Sequence, residues 1–314
     1  MAMSAAEAKP LRIIISGASG LIGTRLAAFL GEQGHRVDRL GRSAPRAGST
    51  DIRWDPARGE IEAGKLEAAD AVVNLAGENI GQKRWTEVRK RAILESRVSS
   101  TRLLSETIAR LKKPPRVLVS ASAVGYYGDR GEEKLTEESQ PGQGFLAEVC
   151  RAWESATGPA AAAGVRVVIL RQGLVLAGEG GALAAMLLPF KLGAGGPLGS
   201  GRQSWSWIAL SDLVEIYLHV ITHENLAGPV NAVAPNPASN AEFAKTLGQV
   251  LHRPALLRLP AFAIRLIFGE MGQELFLDSA SVFPAMLTAP GFQFSFPRLE
   301  VALKHEIRRT VPRK

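Results

Sequence analysis

A glycine-rich segment near the N-terminus, IIISGASGLIGTRL, constrains the fold of this chain more than any other feature. Gly17, Gly20 and Gly23 follow an apolar, β-branched run at 11–16, and the last of them falls at the start of a helical pattern at 22–33. In a strand–turn–helix unit such glycines allow a tight turn and a close approach to a pyrophosphate, and the helix N-terminus presents N–H groups to the anion. The segment therefore predicts a dinucleotide site formed by Gly17, Ser19, Gly20, Leu21, Ile22 and Gly23.

Strand-like and helical runs alternate along the first two thirds of the chain. Further buried-strand candidates lie at 35–40, 68–77, 116–122 and 165–173, with helical segments near 85–111 and 144–163 between them, and 204–210 and 228–233 are shorter candidates. This alternation predicts parallel strands joined by right-handed crossovers, which is an α/β fold with a doubly wound parallel sheet of the Rossmann type.

The alternation gives way to helices and loops from about residue 236. We therefore predict an NADP-binding domain at 11–235 and a smaller C-terminal substrate lobe at 236–314, with residues 178–204 contributing to that lobe. A ligand is expected at the carboxyl ends of the strands, between the two parts.

Composition limits the class of protein. The 314 residues are 46% hydrophobic and 22% charged, and no apolar stretch approaches the ~18 residues of a membrane span. The first ten residues lack the pattern of a signal peptide. Cys150 is the single cysteine, so an internal disulfide is excluded and a reducing compartment is favoured. We expect a cytoplasmic monomer or homodimer with no membrane partner.

The net charge of +8 raises the alternative of nucleic-acid binding. Basic residues crowd 83–102 and the final segment EIRRTVPRK. Zinc-ligand spacing, a recognition helix and aromatic residues among the basic ones are typical of nucleic-acid-binding proteins. This sequence lacks the first two and has little of the third. The charge instead indicates a solvated surface or one that favours anionic ligands, and no nucleic-acid partner is expected.

The second strand favours NADP over NAD. An NAD site usually has an acidic side chain at the end of this strand, where it holds the adenosine ribose. Here Asp38 lies mid-strand and the strand ends at Gly41, so Arg42 and Ser43 are the candidates to bind a 2′-phosphate. Arg39 either helps them or is solvated.

Five segments in order resemble the extended short-chain dehydrogenase/reductase superfamily. They are the glycine loop, NLAG at 74–77, the serine strand ending in YYGD at 126–129, ILRQGLVL at 169–176 and WIALSDLV at 207–214. NLAGENI, SASAVGYYG and the tail LPAFAIRLIFGEMGQELFLDSASVFPAML resemble its atypical branch, the uncharacterised epimerase family with an extra C-terminal domain. The resemblance covers residues 11–305.

The resemblance implies hydride transfer with NAD(P), and it also shows what is missing. Members use a serine that polarises a carbonyl and a Tyr-x-x-x-Lys pair whose lysine lowers the tyrosine pKa and holds ribose hydroxyls. Ser122 matches the serine, whereas Phe145 and Val149 stand in place of the tyrosine and lysine. No lysine occurs between Lys134 and Lys191, so a shifted register does not restore the pair.

Other residues are candidates for the missing roles. Tyr126 and Tyr127 either donate a proton, line the substrate pocket or pack. Ser122 either donates a hydrogen bond to a carbonyl or ligand, or is a strand-end hydroxyl that bonds to the backbone. Glu78 either faces the cofactor cleft, or caps a helix or is solvated. The resemblance also implies that Asn74, Leu75, Ala76 and Gly77 lie over the adenosine half and that Arg97 reaches a phosphate from the long helix.

The remaining chemistry-bearing residues give weaker predictions. His219 and His223 are four apart on a predicted helix but lack a third metal ligand, so no metal is expected. Arg202, Gln203 and Trp205 lie in a glycine-rich loop and either contact substrate or form surface. Cys150 lacks a histidine partner. We predict an NADP-dependent oxidoreductase or epimerase on a small carbonyl or sugar-like substrate, or else an inactive NADP(H)-sensing protein.

Overall fold

The computed structural model describes residues 9–42 and 50–309. Its strands are β1 Arg12–Ser16, β2 Arg36–Gly41, β3 Ile52–Asp55, β4 Glu60–Ile61, β5 Ala71–Asn74, β6 Val117–Ala123, β7 Lys134–Leu135, β8 Arg166–Gln172, β9 Leu174–Leu176, β10 Ser204–Trp205, β11 Trp207–Ala209, β12 Gly228–Ala232, β13 Ala238–Ser239 and β14 Ser281–Val282. Its α-helices are α1 Leu21–Glu32, α2 Glu87–Ala109, α3 Phe145–Ser155, α4 Gly158–Ala162, α5 Gly181–Lys191, α6 Leu210–Thr222, α7 Asn240–Val250, α8 Ala261–Phe268, α9 Glu270–Gly272, α10 Ala285–Thr288 and α11 Leu299–Arg308.

One large sheet organises the molecule. Its eight strands lie in the order β12-β8-β6-β5-β1-β2-β3-β4, and every pair is parallel except β3 with β4. The predicted doubly wound α/β fold is thus confirmed. The chain order reverses between β1 and β5, and the crevice beside that point is where sheets of this kind bind ligands.

The two faces of the sheet follow from the alternation of side chains along each strand. Ile13 and Ile15 belong to a core cluster that includes residues of α1 and α6, whereas Ile14 packs in a second cluster with residues of α2 and α4. All three isoleucines are fully buried. A strand covered on both faces by helices needs such a continuous apolar run, which is what the sequence carries here.

Several predicted elements differ in detail. The helical pattern at 144–163 is divided into α3 and α4, because Pro159 lies in the first turn of α4 and has no N–H group to continue the hydrogen bonding of α3. The segment at 204–210 does not join the large sheet. It gives β10, which pairs antiparallel with β13, and β11, which pairs parallel with β9.

Carboxylates tie the C-terminal part to the sheet domain. Asp212, at the start of α6, accepts hydrogen bonds from the backbone N–H groups of Ser295 and Phe296 at 2.9 and 3.1 Å. Glu306 of α11 accepts one from the N–H of Ser211 at 2.9 Å. Burial of the Asp212 carboxyl raises its pKa to about 6. Within the described ranges, no helix is both long and apolar enough to cross a membrane.

Candidate functional site

The glycine loop leaves no room for side chains at two of its three glycines. A Cβ on Gly23 would lie 2.2 Å from the carbonyl oxygen of Gly17, and Gly17 itself has a φ of +67° with Leu75 O 2.7 Å from its Cβ position. α1 therefore packs directly against the turn, beside the end of β5. The N-terminus of α1 has neither a side-chain cap nor an acidic residue in its first turn. Its free N–H groups suit a pyrophosphate.

The end of β2 carries arginine rather than an acidic group. Asp38 is fully buried inside the strand and bonds to the Nε atoms of Arg12 at 2.7 Å and Arg36 at 3.2 Å. Burial opposes ionisation of this carboxyl, but its hydrogen bonds, those from the two arginines included, keep its pKa below the ordinary value. Asp38 is therefore committed to structure, and the exposed Arg42 follows the strand. Ser43 lies outside the described residues.

The segment after β5 combines a structural residue with an open loop. Asn74 is fully buried; its Oδ1 accepts from the Ser16 hydroxyl at 2.6 Å and its Nδ2 donates to Thr101 Oγ1 at 2.7 Å. These bonds connect β1, β5 and α2. Leu75 and Ala76 are half-buried and Gly77 is exposed. Asn74 thus fixes the loop, while the next three residues border the crevice.

Ser122 lies in a buried polar network that the sequence did not reveal. Its hydroxyl donates to Glu154 Oε1 at 2.6 Å, and Arg171 of β8 forms a two-point ion pair with Glu154, at 3.0 and 2.9 Å. Ser122 and Arg171 are each 3% exposed. The hydroxyl therefore points into the layer between β6 and α3 and already donates to a carboxylate.

The same network gives the two neighbouring tyrosines different environments. Tyr127 is completely buried; its hydroxyl donates to Asn231 Oδ1 at 2.7 Å and accepts from Arg171 Nη1 at 3.0 Å. Burial raises the Tyr127 pKa, although Arg171 opposes the shift. Tyr126 is half-buried, and its ring lies 3.4 Å from the Arg171 guanidinium carbon. Its hydroxyl bonds to nothing in the described part of the chain.

The position of the missing tyrosine is filled and covered. Phe145, 8% exposed, contacts the Trp85 ring edge-to-face at 4.9 Å and packs in a cluster with Met271. Glu274 accepts hydrogen bonds from the N–H groups of Phe145 and Leu146, both at 2.8 Å. The C-terminal part thus caps α3, which lacks a side-chain cap of its own because Gly144 precedes it. Val149 is also buried, at 2% exposure.

The other predicted residues are dispersed. Gln203 is buried and donates to two backbone carbonyls, Trp205 packs on Phe243, and Arg202 is exposed. Glu78 is exposed and pairs with Arg89 at 2.7 Å. The stacked rings of His219 and His223 are 3.7 Å apart, and no group of three metal-ligating side chains exists among the described residues. Burial raises the Cys150 thiol pKa to about 11, so the thiol stays protonated.

Glu154 and Arg171 were not singled out from the sequence. They are 17 residues apart on a helix and a strand, and no local spacing joins them. The only available signal was an arginine inside an apolar strand pattern, since a charged residue is rarely buried without a partner.

Comparison with known proteins agrees with this architecture. The model of the "NAD dependent epimerase/dehydratase family" matches residues 13–233. The chain belongs to this family. The model of a "Domain of unknown function (DUF1731)" matches residues 259–306, and the resemblance to the atypical epimerase branch is confirmed.

Close relatives of the family are similar along almost the whole chain. An epimerase family protein of Mycobacterium tuberculosis is 42% identical, over 95% of this chain and 98% of its own length. The human epimerase family protein SDR39U1 is 38% identical, over 94% of this chain and 99% of its own length. A crystal structure of that human protein with NADPH has a TM-score of 0.86 and 36% identity, covering 95% of this chain and 99% of the other.

Proposed function

We propose that this protein binds NADP(H) across the ends of β2, β1, β5 and β6, and uses it as an oxidoreductase or epimerase on a small carbonyl or sugar-like substrate. The observation that carries the proposal is the side-chain-free cradle at Gly17 and Gly23 below the uncapped N-terminus of α1. The donor set suits a dinucleotide, since the loop offers backbone N–H groups to the pyrophosphate. The human relative solved with NADPH supports this choice of ligand.

Preference for NADP is supported by the end of β2. Asp38 is the acidic residue of β2, and its buried ion pairs keep it from the adenosine 2′-hydroxyl, while Arg42 supplies positive charge for a 2′-phosphate. Replacing Arg42 by Ala is expected to weaken NADPH binding about tenfold to a hundredfold while changing NADH little, because a hydrogen bond to a charged group contributes about 1.5–3 kcal/mol. Isothermal titration with both nucleotides measures this. Equal losses would refute the 2′-phosphate assignment.

When bound, the cofactor would supply hydride exchange. This chain would orient cofactor and substrate and provide a hydroxyl group that donates to the substrate. Tyr126 is our candidate to donate a proton or a hydrogen bond to the substrate, because its hydroxyl has no partner among the described residues and Arg171 holds its ring. Ser122 and Tyr127, both bonded within the buried network, act as positioning residues beneath it.

A screen of carbonyl compounds for NADPH oxidation tests the enzymatic part, with Tyr126→Phe and Ser122→Ala as comparison variants. The phenylalanine variant should lose most turnover and keep NADPH binding. If no compound is turned over although NADPH binds at micromolar concentration, the second candidate stands, which is an NADP(H)-sensing protein. The burial of Phe145 in a cluster with Met271 favours that candidate, since it closes the usual catalytic position. We place either protein in the cytoplasm, as a monomer or homodimer.

A further inference from the structure

The exposed apolar side chains of this protein are concentrated in two segments. Of the eight large apolar side chains that are well exposed in the described part of the chain, seven lie at 188–192 and 256–267. Six of these seven, each 61–83% exposed, are called the apolar face below: Leu188, Leu192, Leu256, Leu257, Phe262 and Leu266. A single exposed leucine is ordinary on a protein surface, whereas a cluster of this size indicates a surface that contacts another apolar body.

Backbone contacts place the segments that carry the apolar face side by side. The N–H of Leu257 donates to the carbonyl oxygen of Gly195, in the loop that follows α5, at 3.2 Å. A Cβ built on Gly199 in the same loop would lie 3.7 Å from the Cβ of Ala261, the first residue of α8. The end of α5, the segment before α8 and α8 itself therefore form one continuous surface.

The helices of this surface direct apolar side chains outward. Phe262 and Leu266 are four residues apart on α8, so they lie on the same side of the helix, and both are exposed. Ile264 of the same helix is fully buried. Leu188 and Leu192 repeat the four-residue spacing at the end of α5. A surface helix normally keeps its apolar side chains on the side that faces the core, so this outward set is not explained by packing.

The charge of these segments indicates what the apolar face fits. Residues 180–211 contain two basic residues and residues 243–269 contain four, and neither segment contains aspartate or glutamate. Four of the basic residues are exposed and lie among the apolar ones along the chain: Lys191, Arg253, Arg258 and Arg265. Leucine and phenylalanine side chains interspersed with arginine and lysine match the interface of an anionic membrane, where acyl chains surround the apolar groups and phosphates attract the charges.

A second copy of the chain and an acidic protein fit this surface less well. Two copies that paired through the apolar face would bring like charges together, in a protein whose net charge is already +8. The residues that dominate binding at protein–protein interfaces are mostly tryptophan, tyrosine and arginine, and leucine is under-represented among them. Five of the six residues of the apolar face are leucine, which favours a lipid surface over a protein.

We propose that this protein binds the surface of membranes that contain anionic phospholipids, with the apolar face in the acyl region and the four exposed basic side chains at the level of the phosphates. An eight-residue helix such as α8 is far shorter than the ~20 residues that cross a bilayer, so it lies in the plane of the interface and the binding is reversible. The proposal replaces the expectation of no membrane partner and does not depend on the proposed NADP(H) binding.

Co-sedimentation of the full chain with lipid vesicles tests the proposal. One set of vesicles is phosphatidylcholine alone, and the other is phosphatidylcholine and phosphatidylglycerol in equal parts. The wild type should bind the mixed vesicles at least about tenfold more tightly than the neutral ones, since each basic residue at an anionic surface contributes about fivefold. Raising the salt concentration should weaken this binding, because salt screens the attraction.

A variant of the apolar face tests the contribution of its side chains. Leu256→Ser combined with Phe262→Ser should weaken binding to the mixed vesicles about tenfold or more, because two large side chains no longer enter the acyl region. Both side chains are exposed in the folded protein, so the thermal midpoint should stay that of the wild type. Binding equal to that of the wild type would overturn the proposal.

A pair of charge variants separates the local charge from the net charge. Lys191→Gln with Arg258→Gln should weaken binding to the mixed vesicles about tenfold or more. Arg110→Gln with Arg116→Gln is the matched control, since it removes two charges from exposed side chains at the end of α2 and just before β6. The control should bind within about twofold of the wild type, and equal losses in the two variants would overturn the proposal.

The other occupants of the apolar face give different results. A dimer in sedimentation velocity that Leu256→Ser with Phe262→Ser abolishes, without vesicle binding, would assign the face to a second copy. Binding to poly-glutamate but not to vesicles would assign it to an acidic protein. Either result overturns the proposal. Failure of the wild type to bind NADPH would instead refute the proposed function and would leave the vesicle result as it stands.

Discussion

The ion pair between Glu154 and Arg171 allows a quantitative test of what the buried network contributes. Arg171 is 3% exposed and donates to both carboxylate oxygens, at 3.0 and 2.9 Å. Removing one member of a buried pair leaves the other charge uncompensated, which costs about 3–5 kcal/mol. We expect this loss of unfolding free energy in Arg171→Met, and a similar one in Glu154→Leu.

The double variant is the informative one. With both charges gone, no uncompensated charge remains, so Arg171→Met with Glu154→Leu should be less destabilised than the sum of the singles by at least about 2 kcal/mol. The lost hydrogen bonds of Ser122 and Tyr127 set the residual cost at about 1–2 kcal/mol.

Urea unfolding of the four proteins, followed by tryptophan fluorescence and circular dichroism, gives the cycle. The slope of free energy against urea must stay the same in all four for the comparison to hold. Additivity within about 0.5 kcal/mol would refute the reasoning, because it would mean that the carboxylate and the guanidinium do not act as a unit.

Three further predictions follow from other parts of the fold. Burial raises the pKa of the Asp212 carboxyl from 3.8 to about 6, so the folded protein holds this proton more tightly than the unfolded chain. The proton therefore stabilises the folded state fully below about pH 4. As the pH rises through 6 this contribution is lost, which lowers the free energy of unfolding by roughly 3 kcal/mol. Urea midpoints between pH 4 and 7 should show this fall in the wild type and a flatter profile in Asp212→Asn; parallel profiles would contradict it. Gly23→Ala should abolish NADPH binding or folding, because the new Cβ would lie 2.2 Å from the carbonyl oxygen of Gly17. Gly31→Ala on the same helix is the control: its Cβ would meet no neighbouring element within 4 Å, so it should be neutral or stabilise by about 0.5–1 kcal/mol. Similar effects of the two variants in thermal melts would argue against the tight turn. Glu274→Ala should lower the free energy of unfolding by about 1–3 kcal/mol through loss of the α3 cap. Glu270→Ala removes a more exposed ion pair with Lys90 and should cost about 1 kcal/mol or less. A larger loss of stability in Glu270→Ala than in Glu274→Ala would contradict the capping role.

The sequence alone was sufficient to predict those parts of the fold that depend on residues close to one another along the chain. The strand–turn–helix at 11–33, the glycine spacing and the alternation of apolar segments are local patterns, and they predicted the parallel sheet because the period of the side chains reports the burial of each element. The end of β2 could also be predicted, since strand direction determines which residue leaves the sheet.

Tertiary structure decided which hydroxyls and charges are available. Ser122, Tyr126 and Tyr127 are close in sequence, yet Glu154 bonds to Ser122 and Asn231 to Tyr127, whereas the Tyr126 hydroxyl has no partner in the described part of the chain. The partners come from a helix and from an edge strand of the large sheet, 32 and 104 residues away, and hydrogen bonding over such separations leaves no local pattern. The same holds for Arg97: its place on α2 was evident from the sequence, but its position between Gly77 and Trp153 depends on how α2, α3 and the loop after β5 pack together.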